Sequence, residues 1–203
     1  SGKHAGFVCA VTHMGYPLEG YVARQHPLQV QIHEILTGIT GASLDADVCG
    51  IDGCSSPTWA VPVENLAAAF ARVATGTGLA PERSAALTRL RKACCAHPME
   101  VAGTDRFCTD VMARFGDAAY VKTGAEGVYC AALPAVGLGV AIKIDDGAAR
   151  GSEAEVLQVL IARTAEDRGF LDRWAQQPIE TRRGVVAGTI RPSTDLADGL
   201  AAL

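Results

Sequence analysis

The sequence is poor in most features that would announce a role at once. Aromatic residues make up only 5% of it. No uninterrupted apolar run approaches the roughly 18 residues that suggest a membrane span, and nothing resembles a signal peptide. Basic charge is not in excess: 18 Lys and Arg stand against 22 Asp and Glu, a formal net charge of −4. That balance argues against a nucleic-acid partner, because phosphate binding wants a basic face. Neither Cys-x-x-Cys nor His-x-x-x-His occurs, which removes a free-standing zinc motif. There is no internal repeat and no low-complexity linker. An initiator Met is also missing, so a chain starting at Ser1 is expected to be a processed product or a piece of something longer.

What is present suits a folded domain. Hydrophobic residues are 49% of the 203, ample for a buried core, and the length fits a single domain over 1–203. The seven cysteines are an odd number without repeating spacing. That pattern fits free thiols in a reducing cytoplasm better than a disulfide framework. The adjacent Cys94 and Cys95 read as packing residues.

Helical periodicity runs through 1–14 (Phe7, Val8, Val11, Met14) and stops at Gly15-Tyr16-Pro17. Lys3 and His4 would sit on its first turn, an end that favours anionic ligands. A second helix is predicted from Pro27 to near Gly41, with Leu28, Ile32, Ile35, Leu36 and Ile39 inward. A short strand at 46–51 and a Gly/Ser/Pro loop at 52–60 follow. Helices are then predicted at 63–75, 81–96 and 104–115, so 1–116 is mainly helical. Runs at 118–123, 127–133 and 137–144 are joined by links too short for crossover helices, which predicts antiparallel neighbours. A helix at 152–166 with Ser152 as N-cap, a turn at 170–176 and a strand at 184–190 complete 117–203. The fold class is α+β, in mixed α/β layers: an antiparallel sheet flanked by helices.

Three stretches could carry chemistry. Lys122-Thr123-Gly124 lies on the first strand of the meander. A Lys-Thr-Gly stretch occupies a strand beside a Ser-x-x-Lys nucleophile in serine β-lactamases, but no convincing Ser-x-x-Lys partner is found in this chain. Cys54 sits two residues after Asp52 in Gly50-Ile51-Asp52-Gly53-Cys54-Ser55-Ser56-Pro57-Thr58. The plain alternatives are a packed thiol and a turn-forming Asp. Lys3 and His4 open the chain, with a solvated cation and a packed or capping His as their plain alternatives. Ser1 as an N-terminal nucleophile would need to start a strand, and the first segment reads as a helix.

Together these stretches resemble the bacterial L-asparaginase II family, zinc-dependent enzymes with a serine β-lactamase-like fold. The matching segments are Ser-Gly-Lys-His-Ala-Gly (1–6), His-Pro-Leu-Gln (26–29), the Asp-Gly-Cys loop (50–58), Lys-Thr-Gly-Ala-Glu-Gly-Val-Tyr-Cys (122–130) and Gly-Leu-Gly-Val-Ala-Ile-Lys-Ile-Asp-Asp-Gly (137–147). The resemblance implies hydrolysis of L-asparagine to L-aspartate and ammonia by a Ser/Lys mechanism near a zinc site. It implies Lys3 and Cys54 as metal ligands, together with a Cys just before Ser1. His4 and Asp52 would face the substrate's α-carboxylate and α-amine, and Lys122 would be the catalytic lysine of a second Ser–Lys pair. It also implies a homodimer. The chain departs from the family in lacking the Arg-Ser-x-x-Lys and His-Ser-Gly stretches, so it is expected to be the C-terminal portion of such an enzyme, with the nucleophile elsewhere. Two other readings stay open: a zinc- or amino-acid-binding domain without catalysis, and a hydrolase of another amide such as glutamine or a β-lactam. One methylene is worth only about 1–3 kcal/mol in a pocket, so the sequence does not separate Asn from Gln.

Overall fold

A computed structural model of the chain describes residues 2–164, 168–175, 177–191 and 193–201. The chain divides into two compact units, Ser1–Asn65 and Leu66–Leu203. The class is α+β, with helices and small antiparallel sheets. Among the described residues, no helix is long and apolar enough to cross a membrane.

The first unit opens with α1 (Gly2–Met14), at the predicted place. Its periodic residues divide: Val11 is fully buried, whereas Val8 and Met14 remain exposed. Helix α2 (Pro27–Thr40) also stands where Pro27 and Gly41 put its ends. Pro27 costs nothing at the first helical position, where the missing N–H had no partner. His26 caps it by accepting the Leu28 amide proton on Nδ1 at 3.2 Å. Gly41 takes the left-handed conformation at φ +68° and closes the last turn through its own N–H to Thr37.

After a 3-10 turn at Ala46–Val48, β1 (Cys49–Ile51) pairs antiparallel with β2 (Pro57–Trp59). Strand β2 falls in the stretch expected to be loop throughout. The hairpin closes because the Asp52 amide donates to the Ser56 carbonyl at 2.9 Å and Ser55 accepts a positive φ of 70°. Pro57 is allowed there because an outer strand needs no inward N–H.

The second unit takes up α3 (Val63–Thr75) from residue 66 onward, then α4 (Pro81–Ala96), α5 (Pro98–Ala102) and α6 (Phe107–Phe115). Residues 103–106, which link α5 to α6, occupy the ground where the predicted 104–115 helix begins, so that helix starts three residues late. Strands β3 (Tyr120–Thr123), β4 (Val128–Leu133) and β5 (Leu138–Lys143) form the antiparallel meander the short links required, in the order β3-β4-β5. Register is set by Lys122 opposite Cys130 and by Ala131 opposite Val140.

Helix α7 (Ala149–Arg163) begins ahead of its expected start, and Ser152 is not its N-cap. Ser152 already lies inside the first turn, with its hydroxyl donating to the Ala149 carbonyl at 3.0 Å. The preceding turn is held instead by Asp146, which accepts the Ala148 amide proton at 2.8 Å. Residues 165–166 of the predicted helix lie outside the described residues. Helix α8 (Arg168–Ala175) replaces the expected turn, whose last residue, 176, also lies outside them. Strand β6 (Gln177–Glu180) pairs with β7 (Val186–Ile190), the latter inside the predicted 184–190, and α9 (Thr194–Ala201) follows.

One apolar core serves this unit. Phe107, Val111 and Met112 of α6, Val121, Tyr129, Ala131 and Leu133 of the sheet, and Val156, Leu157 and Leu160 of α7 pack together. Helix α3 is seated by Gly139 on β5. A Cβ there would lie 2.0 Å from the Ala71 nitrogen and 2.3 Å from the Ala67 carbonyl oxygen. Only a residue without a side chain lets helix backbone and strand come that close.

Candidate functional site

The first turn of α1 and the hairpin between β1 and β2 meet within the first unit. Helical spacing places Lys3 and His4 at the start of α1, and the tight turn places Asp52, Cys54 and Ser56 on one small loop. The Lys3 amine donates to Asp52 Oδ2 at 2.6 Å. The Cys54 thiol lies 3.2 Å from the same oxygen and 3.0 Å from the Ser56 hydroxyl. The other oxygen, Asp52 Oδ1, accepts the Gly53 amide proton at 2.7 Å. One carboxylate thus gathers an amine, a thiol and a backbone N–H.

The loop geometry has a mechanical cause. An Asp followed by Gly bonds its own backbone readily, and the Ser55 amide donates to the Asp52 carbonyl at 2.8 Å. The turn so formed leaves both side chains, at 52 and 54, on one side of it. Ser56, 2% exposed, is the buried floor beneath the thiol.

His4 completes the group. Its Nδ1 lies 2.8 Å from the Tyr21 hydroxyl, and its ring makes edge contacts with Phe7 and Tyr21 at 5.6 and 5.7 Å.

The charges follow from these contacts. The Lys3 ammonium, then the Cys54 thiol and the Gly53 amide, hold the Asp52 carboxyl down at about 2. Asp52 first and Cys54 second raise Lys3, keeping it an ammonium. Lys3 and the Ser56 hydroxyl, with smaller help from the Ser56 backbone and His4, pull the Cys54 thiol down to about 7. Near neutrality that sulfur is therefore substantially thiolate. Lys3 and Asp52 each leave nearly half of their side chain exposed, 47% and 45%, so their pair is worth little as stability.

The structure therefore brings together four of the five residues singled out in the sequence: Lys3, His4, Asp52 and Cys54. The fifth, Lys122, is carried on β3 of the second unit. There its exposed amine donates to the Thr123 carbonyl at 2.5 Å. Ser1 lies outside the described residues. Tyr21 and Ser56 were not anticipated. Ser56 had a signal, standing in the same loop as Cys54. Tyr21 had none, because its closeness to His4 depends on how the connection before α2 folds back.

Zinc is implied by the resemblance, and the donors can be tested against it. An amine nitrogen and a thiolate sulfur are the kinds of ligand zinc accepts, Lys only when neutral. Cys54 is ready in that respect. Lys3 is not, since Asp52 holds its proton and a metal would have to displace it. Among the described residues, no group of three or more His, Cys, Asp or Glu is placed to hold a metal ion. The donor types fit zinc, and their number is half of a tetrahedral set.

The fold and this cluster define an α+β protein whose smaller unit gathers an amine and a thiol on one carboxylate, with an imidazole on the residue next to the amine. The L-asparaginase II family model matches residues 1–192, and the chain belongs to that family. Comparison with curated proteins finds no match. The family suggests asparaginase-type activity, that is, an asparaginase-like hydrolase.

Proposed function

We propose that the chain acts in hydrolysis of the side-chain amide of L-asparagine to L-aspartate and ammonia. One observation carries the reading: Asp52 already holds a primary ammonium, that of Lys3, at 2.6 Å. The α-ammonium of an amino acid is the same chemical group. A carboxyl held down at about 2 stays ionised wherever such an ammonium is protonated. Asp52 is the site for that ammonium, and His4, beside it, donates to the α-carboxylate. Fixing both ends of so small a molecule sets where its amide carbon lies, and that positioning is a large part of catalysis.

The chemistry then needs a serine hydroxyl that attacks the amide carbon and a lysine amine that takes its proton and passes it to the leaving ammonia. Water afterwards releases aspartate. Lys122 is the lysine proposed to support a serine of this machinery, and the β-lactamase-like architecture is the frame proposed for it. Lys3 and Cys54 are proposed as two zinc ligands, the others coming from outside the described residues. Bound zinc would supply positive charge that organises the pocket. Cytoplasmic location and a homodimer belong to the same proposal.

Ammonia release from L-asparagine tests the reading, with zinc content measured on the same samples. Asp52→Asn removes the charge that receives the ammonium and should raise KM at least tenfold. Lys122→Ala should lower kcat by at least a hundredfold. Equal rates in Lys122→Ala remove that residue from the mechanism, and an unchanged KM in Asp52→Asn removes the ammonium site. Competition by L-glutamine decides how tightly the site reads chain length.

A further inference from the structure

We infer that His26 and Gln29 are positioning residues: their Nε2 groups donate to the Pro17 and Tyr21 carbonyls and clamp the connection between α1 and α2, so that the Tyr21 hydroxyl stays against His4. The inference rests on the proposed role of His4 and deepens it.

Geometry fixes the donors. The Leu28 amide donates to His26 Nδ1 at 3.2 Å, so Nδ1 is an acceptor. The other ring nitrogen, Nε2, lies 2.8 Å from the Pro17 carbonyl oxygen, which can only accept. The imidazole therefore carries its proton on Nε2, and one ring both caps α2 and ties back residue 17. Gln29 makes the second tie, its Nε2 donating to the Tyr21 carbonyl at 2.8 Å. His26 and Gln29 stand three residues apart, which puts them on one face at the start of α2. The His26-Pro27-Leu28-Gln29 stretch is thus a clamp with two prongs.

Burial gives both prongs weight. Gln29 is 1% exposed and His26 8%, and a buried polar group left without its partner costs more than an exposed one. The Tyr16 ring meets His26 edge-on at 6.3 Å, which limits rotation of the imidazole. Residues 15–26 contain neither α-helix nor strand, so no helix or sheet ladder holds them to the unit. The clamped carbonyl of residue 21 belongs to the side chain that meets His4. The Tyr21 hydroxyl lies 2.8 Å from His4 Nδ1, and its ring lies 5.7 Å from that of His4 and 6.4 Å from that of Phe7. A shift of residue 21 moves the group packed on His4, and a small displacement of a substrate-binding side chain weakens binding steeply.

The test is NMR of the whole chain for wild type, His26→Asn, His26→Gln and Gln29→Met. Nitrogen-15 spectra of wild type should show His26 protonated on Nε2 with an acceptor at Nδ1. Its proton spectra should show cross-relaxation between the rings of Tyr21 and His4. His26→Asn keeps an acceptor for the Leu28 amide and loses the donor to Pro17, and Gln29→Met loses the donor to Tyr21. Both should weaken the Tyr21–His4 signal. His26→Gln gives up the cap but has a donor long enough for the Pro17 carbonyl, and it should keep that signal. A role confined to helix capping predicts the opposite order for the two His26 variants. A wild-type proton on Nδ1 overturns the inference, even if no variant folds, and so does an undiminished Tyr21–His4 signal in His26→Asn or Gln29→Met. In turnover of L-asparagine, His26→Asn and Gln29→Met should each raise KM roughly two- to tenfold, the value of one neutral hydrogen bond, with kcat within about twofold. A weakened signal in an enzyme that does not turn over asparagine supports the clamp while defeating the asparaginase reading, so the two failures are told apart.

Discussion

Each of the two units is held together internally by a different kind of contact. In Leu66–Leu203 a continuous set of aliphatic and aromatic side chains fills the space between α6, the three-stranded sheet and α7. Among the described residues of Ser1–Asn65 the buried apolar ones are few: Val11, Leu28, Ala42 and Leu44. Beside them lie the buried His26, Gln29, Thr40 and Ser56, most of them bonded to backbone. The cysteines follow the same division. Burial pushes the Cys130 thiol up to about 12 and that of Cys95 up to about 11. It also raises Tyr129, which contacts the buried Cys108 sulfur at 2.7 Å. In the first unit, contact with a cation lowers Cys54 to about 7. An apolar core makes thiols inert, whereas a thinly packed unit held by polar contacts can keep one reactive.

The contrast breaks most severely where apolar volume is removed from the second unit. Leu157 is 1% exposed in the middle of that core. Leu157→Ala should cost about 2–5 kcal/mol, the lost transfer energy plus the cavity left behind. The two tryptophans allow a local reading, since Trp59 belongs to the first unit and Trp174 to the second, against Phe107. In urea unfolding of Trp59→Phe, which leaves Trp174 as reporter, the substitution should shift the midpoint strongly. No shift would show that the core is not what holds this unit.

A smaller loss should follow from cutting a polar tie in the first unit. Gln29→Leu keeps the volume and removes the donor to the Tyr21 carbonyl. It should cost about 1–3 kcal/mol, the penalty of a buried acceptor left without its hydrogen bond. Residue-resolved hydrogen exchange should show faster exchange across 17–30. A neutral or stabilising result would mean that the first unit is held by its apolar residues after all.

The same division explains what could be read from the sequence. Strands β3, β4 and β5 were legible because short links admit only antiparallel neighbours, and α2 because Pro27 and Gly41 mark its ends. Lys3, His4, Asp52 and Cys54 were legible as types, and the family resemblance grouped them. Strand β2 was hidden because Pro57-Thr58-Trp59 has the composition of a loop, and pairing with β1 is a tertiary fact. The apolar periodicity of α1 overstated its burial, since Val8 and Met14 stay exposed. Ser152 has the chemistry of a cap, but Asp146, through the Ala148 amide, fixes the turn earlier. Tyr21 escaped because no spacing rule links residue 21 to residue 4.

The mildest effect separates the two classes of cysteine by rate. In metal-free protein, site-resolved mass spectrometry after brief alkylation should find Cys54 modified at neutral pH while Cys130 stays protected. The sign follows from the shift: a thiol lowered to about 7 gains thiolate as pH rises through 7, so its rate should climb there and level off above. Lys3 is the largest cause of that lowering. If Lys3→Met returned the thiol to its ordinary value of 9.0, thiolate at pH 7 would fall roughly fiftyfold. A more basic thiolate is intrinsically more nucleophilic, which restores about eightfold. The net expectation is up to roughly sixfold slower alkylation of Cys54, with the exposed Cys9 as internal standard. An unchanged ratio of Cys54 to Cys9 would show that the ammonium does not activate the sulfur. The amine and thiol proposed to share a metal would then not be acting on each other.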